Sequence, residues 1–443
     1  MNARELAEKI CGVLRDAGHQ AYLVGGCVRD LVLGREPADY DVATDARPER
    51  VQQLFPESVA VGAQFGVIIV VEDSAQIEVA TFRSDLGYSD GRHPDRVIYT
   101  RSPEEDVRRR DFTINGLLLD PRTGQVLDFV GGQDDLRAGL VRAIGEPGQR
   151  FREDKLRMVR AVRFAARFAY AIEPATLAAI RQLAPEVTQV SSERLRDELT
   201  KLLTEGAARR GFELLDETCL LAVVLPEVAK MKGVEQPAQF HPEGDVWTHT
   251  RLMLEKLARG ASPTLAWGVL LHDVGKPPTF TPPSGPGDRI RFDEHVEVGT
   301  RMAEEICRRL RFSNDVTEQV AALVAHHLRF KDVFEMRPAT LKRFVRLPRF
   351  EEHLELHRLD CLASHGNLEA YWFVRRFLEQ TPAEQVRPAR LVTGDDLKQM
   401  GFLPGPLFRE ILQAVEDAQL DGRLASRDEA LLFIRQNFQA APR

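Results

Sequence analysis

Hydrophobic and polar positions change their period twice along this chain. Over residues 1 to 20, apolar side chains recur at helical spacing among charged ones, which predicts one amphipathic helix. AYLVGG, ADYDVAT, GVIIVVE and QIEVATFR then alternate and are rich in branched residues, the pattern of short half-buried strands. SDLGYSDGRHPDRVIYT, residues 84 to 100, carries Gly, Pro, Ser and Asp without a period and predicts a loop leaving the sheet. From about Glu153 the spacing is helical, with Leu156, Val159 and Val162 on one stripe and Glu153, Arg157 and Arg160 on another. SSERLRDELTKLL opens a further helix at Ser191 or Ser192. PPTFTPPSGPG, residues 277 to 287, is the clearest break, and histidine motifs on both sides place it inside a domain.

A chain of 443 residues with 43% hydrophobic residues can bury several cores. It has no uninterrupted apolar run of membrane-spanning length, and MNARELAEKI is charged rather than signal-like, so a cytoplasmic protein with no membrane partner is expected. Cys11, Cys27, Cys219, Cys307 and Cys361 are odd in number and lack CxxC spacing, which excludes a disulfide framework or zinc finger. Taken as a global sum, the net charge of −7 opposes nucleic-acid binding. Charge is segregated, however: nine basic residues stand against three acidic ones between Arg137 and Arg167, enough to follow a phosphate backbone.

The chemistry concentrates first in LVGGCVRDLVLGREPADYDVAT, residues 23 to 44. Asp39 and Asp41 are two apart in an alternating segment, so on a strand both carboxylates point to the same side and reach one ion cluster. Gly25 and Gly26 lack side chains, and backbone N–H groups ahead of CVRDLVLG can approach phosphates, with Arg29 adding charge. Either feature alone is commonly a solvated turn. In this order they are the parts needed to hold a nucleoside triphosphate and its Mg²⁺.

Five segments in order, LVGGCVRDLVLG with DYDVAT, RRRDFTING, DFVGGQDDLRAGLVRAIG, FREDKLRMVRAVRFAARF and SSERLRDELTKLL, resemble the class II tRNA nucleotidyltransferases. These are the CCA-adding enzymes, which share a polymerase-beta-like head with bacterial poly(A) polymerases. The resemblance implies an α/β head of that nucleotidyltransferase type followed by a mostly α-helical neck, an HD domain and a helical tail. Its boundaries are 1–140 for the head, 141–235 for the neck, 236–370 for the HD domain and 371–443 for the tail.

The implied reaction is template-free addition of C, C and A from CTP and ATP to a tRNA 3′ end. Asp39 and Asp41 would be catalytic and hold Mg²⁺. Asp111, beside Arg109 and Arg110, would accept a hydrogen bond from the ribose 2′-hydroxyl. Glu78 stands where a third carboxylate often occurs. Gly25, Gly26, Arg29, Arg110, Asp111, Glu153, Asp154, Arg157 and Arg160 would bind nucleotide, with Asp154 and Arg157 reading the base. A carboxylate accepts from the exocyclic amine that cytosine and adenine share, an arginine donates to the adjacent ring nitrogen, and a carbonyl in the amine position is rejected. Lys155 departs from the proline expected there.

YSDGRHPDRV, within the loop of 84 to 100, is shortened in CC-adding relatives and is retained here, and residues 404 to 443 hold five arginines against six acids rather than a basic tail. A-adding enzymes and poly(A) polymerases remain the nearest alternatives. From another class, a metal-dependent HD phosphohydrolase with an RNA-binding head also fits, because His249, His272-Asp273 and Asp360 resemble an HD ligand order around LLHDVGKP. His295 and His326 extend that series as in two-metal versions. Such a site would bind a divalent ion, Mg, Mn, Ni or Co, and activate water toward phosphoesters.

Overall fold

The computed structural model describes residues 1–60, 66–87, 95–285 and 287–439, and divides into two units. Met1–Ala229 with Ala258–Gly260 form the first; Lys230–Leu257 with Ala261–Arg443 form the second.

The first unit opens with the helix Ala3–Asp16, whose N-terminus is closed by a capping box between Asn2 and Glu5. Leu6, Ile10 and Leu14 bury its apolar stripe on the sheet. That sheet contains β1 (Ala21–Val24), β2 (Asp41–Thr44), β3 (Ser58–Val59), β4 (Val67–Glu72) and β5 (Ala75–Thr81). Beyond a separate hairpin of β6 (Arg83–Leu86) and β7 (Arg96–Tyr99), β8 (Leu117–Leu119) and β9 (Val126–Asp128) complete it. The spatial order is β3-β4-β5-β2-β1-β8-β9, with β2 and β5 parallel and the remaining pairs antiparallel. Val24, Ala43, Phe82, Val107 and Leu118 make the core on one side of it.

Two expectations change here. The flanks of the expected loop at 84 to 100 are β6 and β7, paired from Arg83↔Tyr99 to Leu86↔Arg96. Ser84, Ile98 and Val97 find partners across the hairpin that no local period announces. Residues 88 to 94, most of YSDGRHPDRV, lie outside the described residues. The helix expected from Glu153 is two helices, Pro147–Glu153 and Leu156–Phe168, separated by Asp154 in extended backbone at φ −149°. The Asp154 side chain accepts from the Leu156 N–H at 3.1 Å, a local turn that leads from the first helix into the second.

The second unit is helical. The helix Pro263–Leu271 is buried on every side from Thr264 onward, so the histidine and aspartate after it emerge in the interior. Val246–Lys256, His295–Arg309, Asn314–His326 and Phe350–Ala363 pack around it or around one another. Much of the 277–287 stretch connects a small hairpin, Phe280–Thr281 with Arg291–Phe292. The last helices, Gly394–Gln399, Pro406–Leu420 and Arg427–Asn437, enclose their own core at Leu397, Ile411, Val415 and Ile434. Among the described residues no helix is long and apolar enough to cross a membrane.

Candidate functional site

β1 ends because the chain turns sharply at Gly25, which has φ +78° and caps the helix Gly26–Val32. Only glycine adopts that angle without strain. The same turn removes the partner that Tyr40 and Asp39 would have had on β1, so β2 begins at Asp41 and Asp39 precedes it. The expectation that both aspartates lie within one strand is corrected to that extent. Both still line one cleft of about 550 Å³, together with Gly25, Gly26, Arg29, Arg110, Asp111, Asp154, Arg157 and Arg160.

Parallel pairing sets Asp41 beside Glu78 on β5. Burial, then the charges of Asp39 and Glu78, push the Asp41 carboxyl up to about 6 against the pull of Arg110. A carboxyl disfavoured from ionising by two neighbouring carboxylates fits a hard divalent cation, which would relieve the repulsion.

Asp111 is held on both oxygens. Oδ1 accepts from the Phe112 N–H at 2.8 Å and Asn115 Nδ2 at 3.1 Å, and Oδ2 from Arg160 at 2.8 and 3.0 Å. Burial alone would raise its pKa, but Arg160 and Asn115 outweigh it and hold the carboxyl at about 2. Arg29, buried at 4% exposure, donates to Asp30 and Asn115 and lies against the rings of Phe164 and Phe168. Glu153 is not in the cleft wall. It sits behind it, accepting from Arg150 at 2.7 Å and Arg157 at 2.8 Å.

Asp154 and Arg157 do not pair through their side chains. Asp154 accepts from Arg194 at 2.7 and 3.2 Å, and Arg157 donates to Glu153, to Arg150 O and to Arg109 O. Lys155 is buried and donates to Arg152 O at 3.1 Å. Arg194, Arg163 and Glu198 were not singled out from sequence, although they lie inside the quoted segments. Glu198 accepts from Arg163 at 2.6 Å and Arg160 at 3.3 Å, tying the helix Ser192–Thr204 to the cleft wall.

In the second unit His249, His272 and Asp360 bring ligand atoms within 4.8 Å of one another, and so do Asp273, His295 and His327. His272 Nε2 is 3.2 Å from Asp273 Oδ2, joining the two groups. His327 takes the place expected for His326, whose ring instead lies 5.9 Å from His353. The reason is helical register: Val320 and Val324 are buried, and His327 continues that face three residues on. That spacing was available in the sequence.

Nε2 of His249, His272, His295 and His327 is in each case buried, that of His249 lying 3.1 Å from Asp360 Oδ1 and that of His272 3.2 Å from Asp273 Oδ2. Burial works to lower the His249 pKa, but the Asp360 and Glu243 carboxylates hold it up at about 9, while burial brings His327 down to about 4. Imidazole nitrogens and carboxylates converging on one space are a donor set that suits a divalent ion. His241 and Glu243 also belong to this neighbourhood and carried no motif.

Residues 21–142 match the family described as "Poly A polymerase head domain", 169–232 match "Probable RNA and SrmB- binding site of polymerase A", and 245–355 match "HD domain". A CCA-adding enzyme of Geobacillus kaustophilus is 42% identical over 236 residues, an alignment spanning 53% of this chain and 58% of that one. A CCA-adding enzyme of Leuconostoc mesenteroides is 32% identical over 429 residues, 96% of this chain and 94% of the other. The crystal structure of the Bacillus stearothermophilus CCA-adding enzyme in complex with CTP superposes with a TM-score of 0.74 at 28% identity, covering 99% of this chain and 98% of that one. With agreement in sequence and fold over nearly the whole of both chains, this protein belongs to the family of CCA-adding enzymes.

Proposed function

We propose that this chain adds C, C and A to the 3′ end of tRNA from CTP and ATP, in the cytoplasm. The observation that carries the reading is one cleft lined by the Gly25-Gly26 turn, Asp39 and Asp41, Asp111, and Asp154 with Arg157. Asp39 and Asp41, with Glu78 alongside, would hold Mg²⁺. Ions there supply charge that activates the 3′-hydroxyl and stabilises the departing pyrophosphate. The Gly25-Gly26 turn lets backbone N–H groups approach the triphosphate, and Arg29 and Arg110 add positive charge. Asp111 offers an ionised acceptor to the ribose 2′-hydroxyl. Asp154 accepts from the amine of cytosine or adenine, and Arg157 donates to the neighbouring ring nitrogen. Uracil and guanine present a carbonyl to Asp154, a mismatch of roughly 1–3 kcal/mol.

The names of the relatives favour CCA addition over A addition or poly(A) synthesis. The test supplies tRNAs lacking CCA, ending in C or CC, or complete, with each NTP singly and together, and resolves products at single-nucleotide length. Addition of C, C and A followed by arrest is the expected result; growth beyond A, or use of ATP alone, would reject it.

The second unit, in this reading, is a divalent-metal phosphohydrolase centre built on His249, His272, Asp273 and Asp360, with His295 and His327 as further ligands. Its support is the convergence of buried histidine nitrogens with Asp273 and Asp360 in two adjoining groups of ligand atoms. Phosphate release from 2′,3′-cyclic and 3′-phosphate ends, lost on His272→Ala, tests it. The head–neck–HD–tail boundaries at 140, 235 and 370 are part of the same proposal.

A further inference from the structure

Each of the four inward-facing histidines of the second unit has one ring nitrogen held. Nδ1 of His272 lies 2.9 Å from Val269 O, that of His295 2.8 Å from Phe292 O, and that of His327 2.7 Å from Val324 O. A carbonyl only accepts, so these Nδ1 atoms carry the proton and Nε2 is left with its lone pair. In all three the acceptor is the backbone three residues earlier, and the local chain alone orients the ring. His249 is held differently. Its Nδ1 lies 2.7 Å from Oε1 of Glu243, a side chain on the segment that precedes the helix Val246–Lys256.

Glu243 is placed there at a cost. Its side chain is 7% exposed, Oε1 is shared with Nδ1 of His241 at 2.9 Å, and Oε2 is buried without a partner. A buried carboxylate oxygen left unpaired is destabilising unless its charge acts on something beyond its immediate contact. A cation on the far side of the His249 ring would be such a target. A carboxylate behind a ligating imidazole fixes its orientation and makes it a stronger donor. The HD-family match begins at residue 245, so this residue lies outside it.

We infer that Glu243 is a positioning residue of the HD centre: it holds the Nδ1 proton of His249 and so aims Nε2 at the space shared with His272 and Asp360. The inference rests on reading that cluster as a divalent-metal centre. By this account the segment ahead of the HD match is part of the centre, and Gln236 from the same segment accepts from Lys276 Nζ at 2.6 Å.

The test is Co²⁺ binding by the full chain in an Asp39→Asn, Asp41→Asn background, so that the head carboxylates do not contribute. Calorimetry and the visible absorption of the bound ion are both read. The background protein should bind Co²⁺ and lose it on His249→Ala. Glu243→Ala should weaken binding about 10–100-fold and alter the absorption band. Glu243→Gln, whose carbonyl still accepts from Nδ1 but carries no charge, should fall between and guards against a folding defect in the alanine variant. Parental affinity and spectrum in both Glu243 variants, with His249→Ala impaired, would overturn the inference and leave the metal reading standing. Equal binding with and without His249 would overturn the metal reading, and the inference with it.

Discussion

Arg194 grips the carboxylate of Asp154 at two points, Nη2 to Oδ2 at 2.7 Å and Nη1 to Oδ1 at 3.2 Å. A guanidinium fork fixes the orientation of the carboxylate, whose oxygens accept hydrogen bonds. Released from the fork it could turn away from the base, and the acceptor that uracil and guanine cannot satisfy would no longer face them. Arg194→Ala is therefore expected to raise UTP and GTP use relative to CTP and ATP by roughly tenfold, as about 1–3 kcal/mol of discrimination is lost. Competitive single-nucleotide addition assays measure it; an unchanged ratio with a lower overall rate would argue against the assignment.

Replacing Asp41 by Asn removes one of three clustered carboxylates while preserving shape. Nucleotide transfer should drop on the order of a thousandfold. Hydrolysis at the second unit should be untouched, because none of its residues belongs to the head cleft. The phosphohydrolase alternative predicts instead that head variants such as Asp39→Ala spare the main activity, while His272→Ala and Asp273→Ala abolish it.

Asp111 carries a pH signature. Its folded pKa, about 2, lies below the ordinary 3.8 because Arg160 and Asn115 outweigh the effect of burial. Depression means that the folded state favours the charged form. The contribution, roughly 2 kcal/mol, is complete above about pH 5 and is lost as pH falls from about 4 to below 2. Urea titrations of the parent and Asp111→Asn should differ by about that amount at pH 7 and converge at the lowest pH where both still fold.

Adjacent histidines should behave oppositely. His327→Ala removes a nitrogen from the group with Asp273 and His295, whereas His326→Ala disturbs a ring contact with His353 outside that group. Bound metal and cyclic-phosphate hydrolysis should fall for the first variant and stay near parental for the second.

At Gly25, with φ +78°, any side chain is strained, and its Cβ would stand 3.5 Å from Arg110 Nη1. Gly25→Ala should cost about 1–2 kcal/mol of stability, read by thermal or urea unfolding. It should also raise the KM for CTP and ATP, because the turn must let phosphates approach the backbone.

Local order in the chain was enough for much of this. Alternation at AYLV and QIEVAT marks strands because side chains on a strand repeat every two residues, and the Gly-Gly turn followed by Asp-x-Asp marks a phosphate and metal site because few residue types can do either task. The head, most of the residues that line its cleft and the HD histidine–aspartate pair were legible for that reason. What tertiary structure decided involves partners distant in sequence. The parallel register brings Glu78 to Asp41 across 37 positions, Arg194 reaches Asp154 across 40, and β6 meets β7 through a segment without periodicity. Whether the 153–157 stretch is one helix or two depends on where the Asp154 carboxylate finds its partners, and Glu243 acquires a role only because folding buries it against His249. Periodicity reports which face a residue occupies; only the closed fold, where desolvation makes each charge find a partner, determines what it meets there.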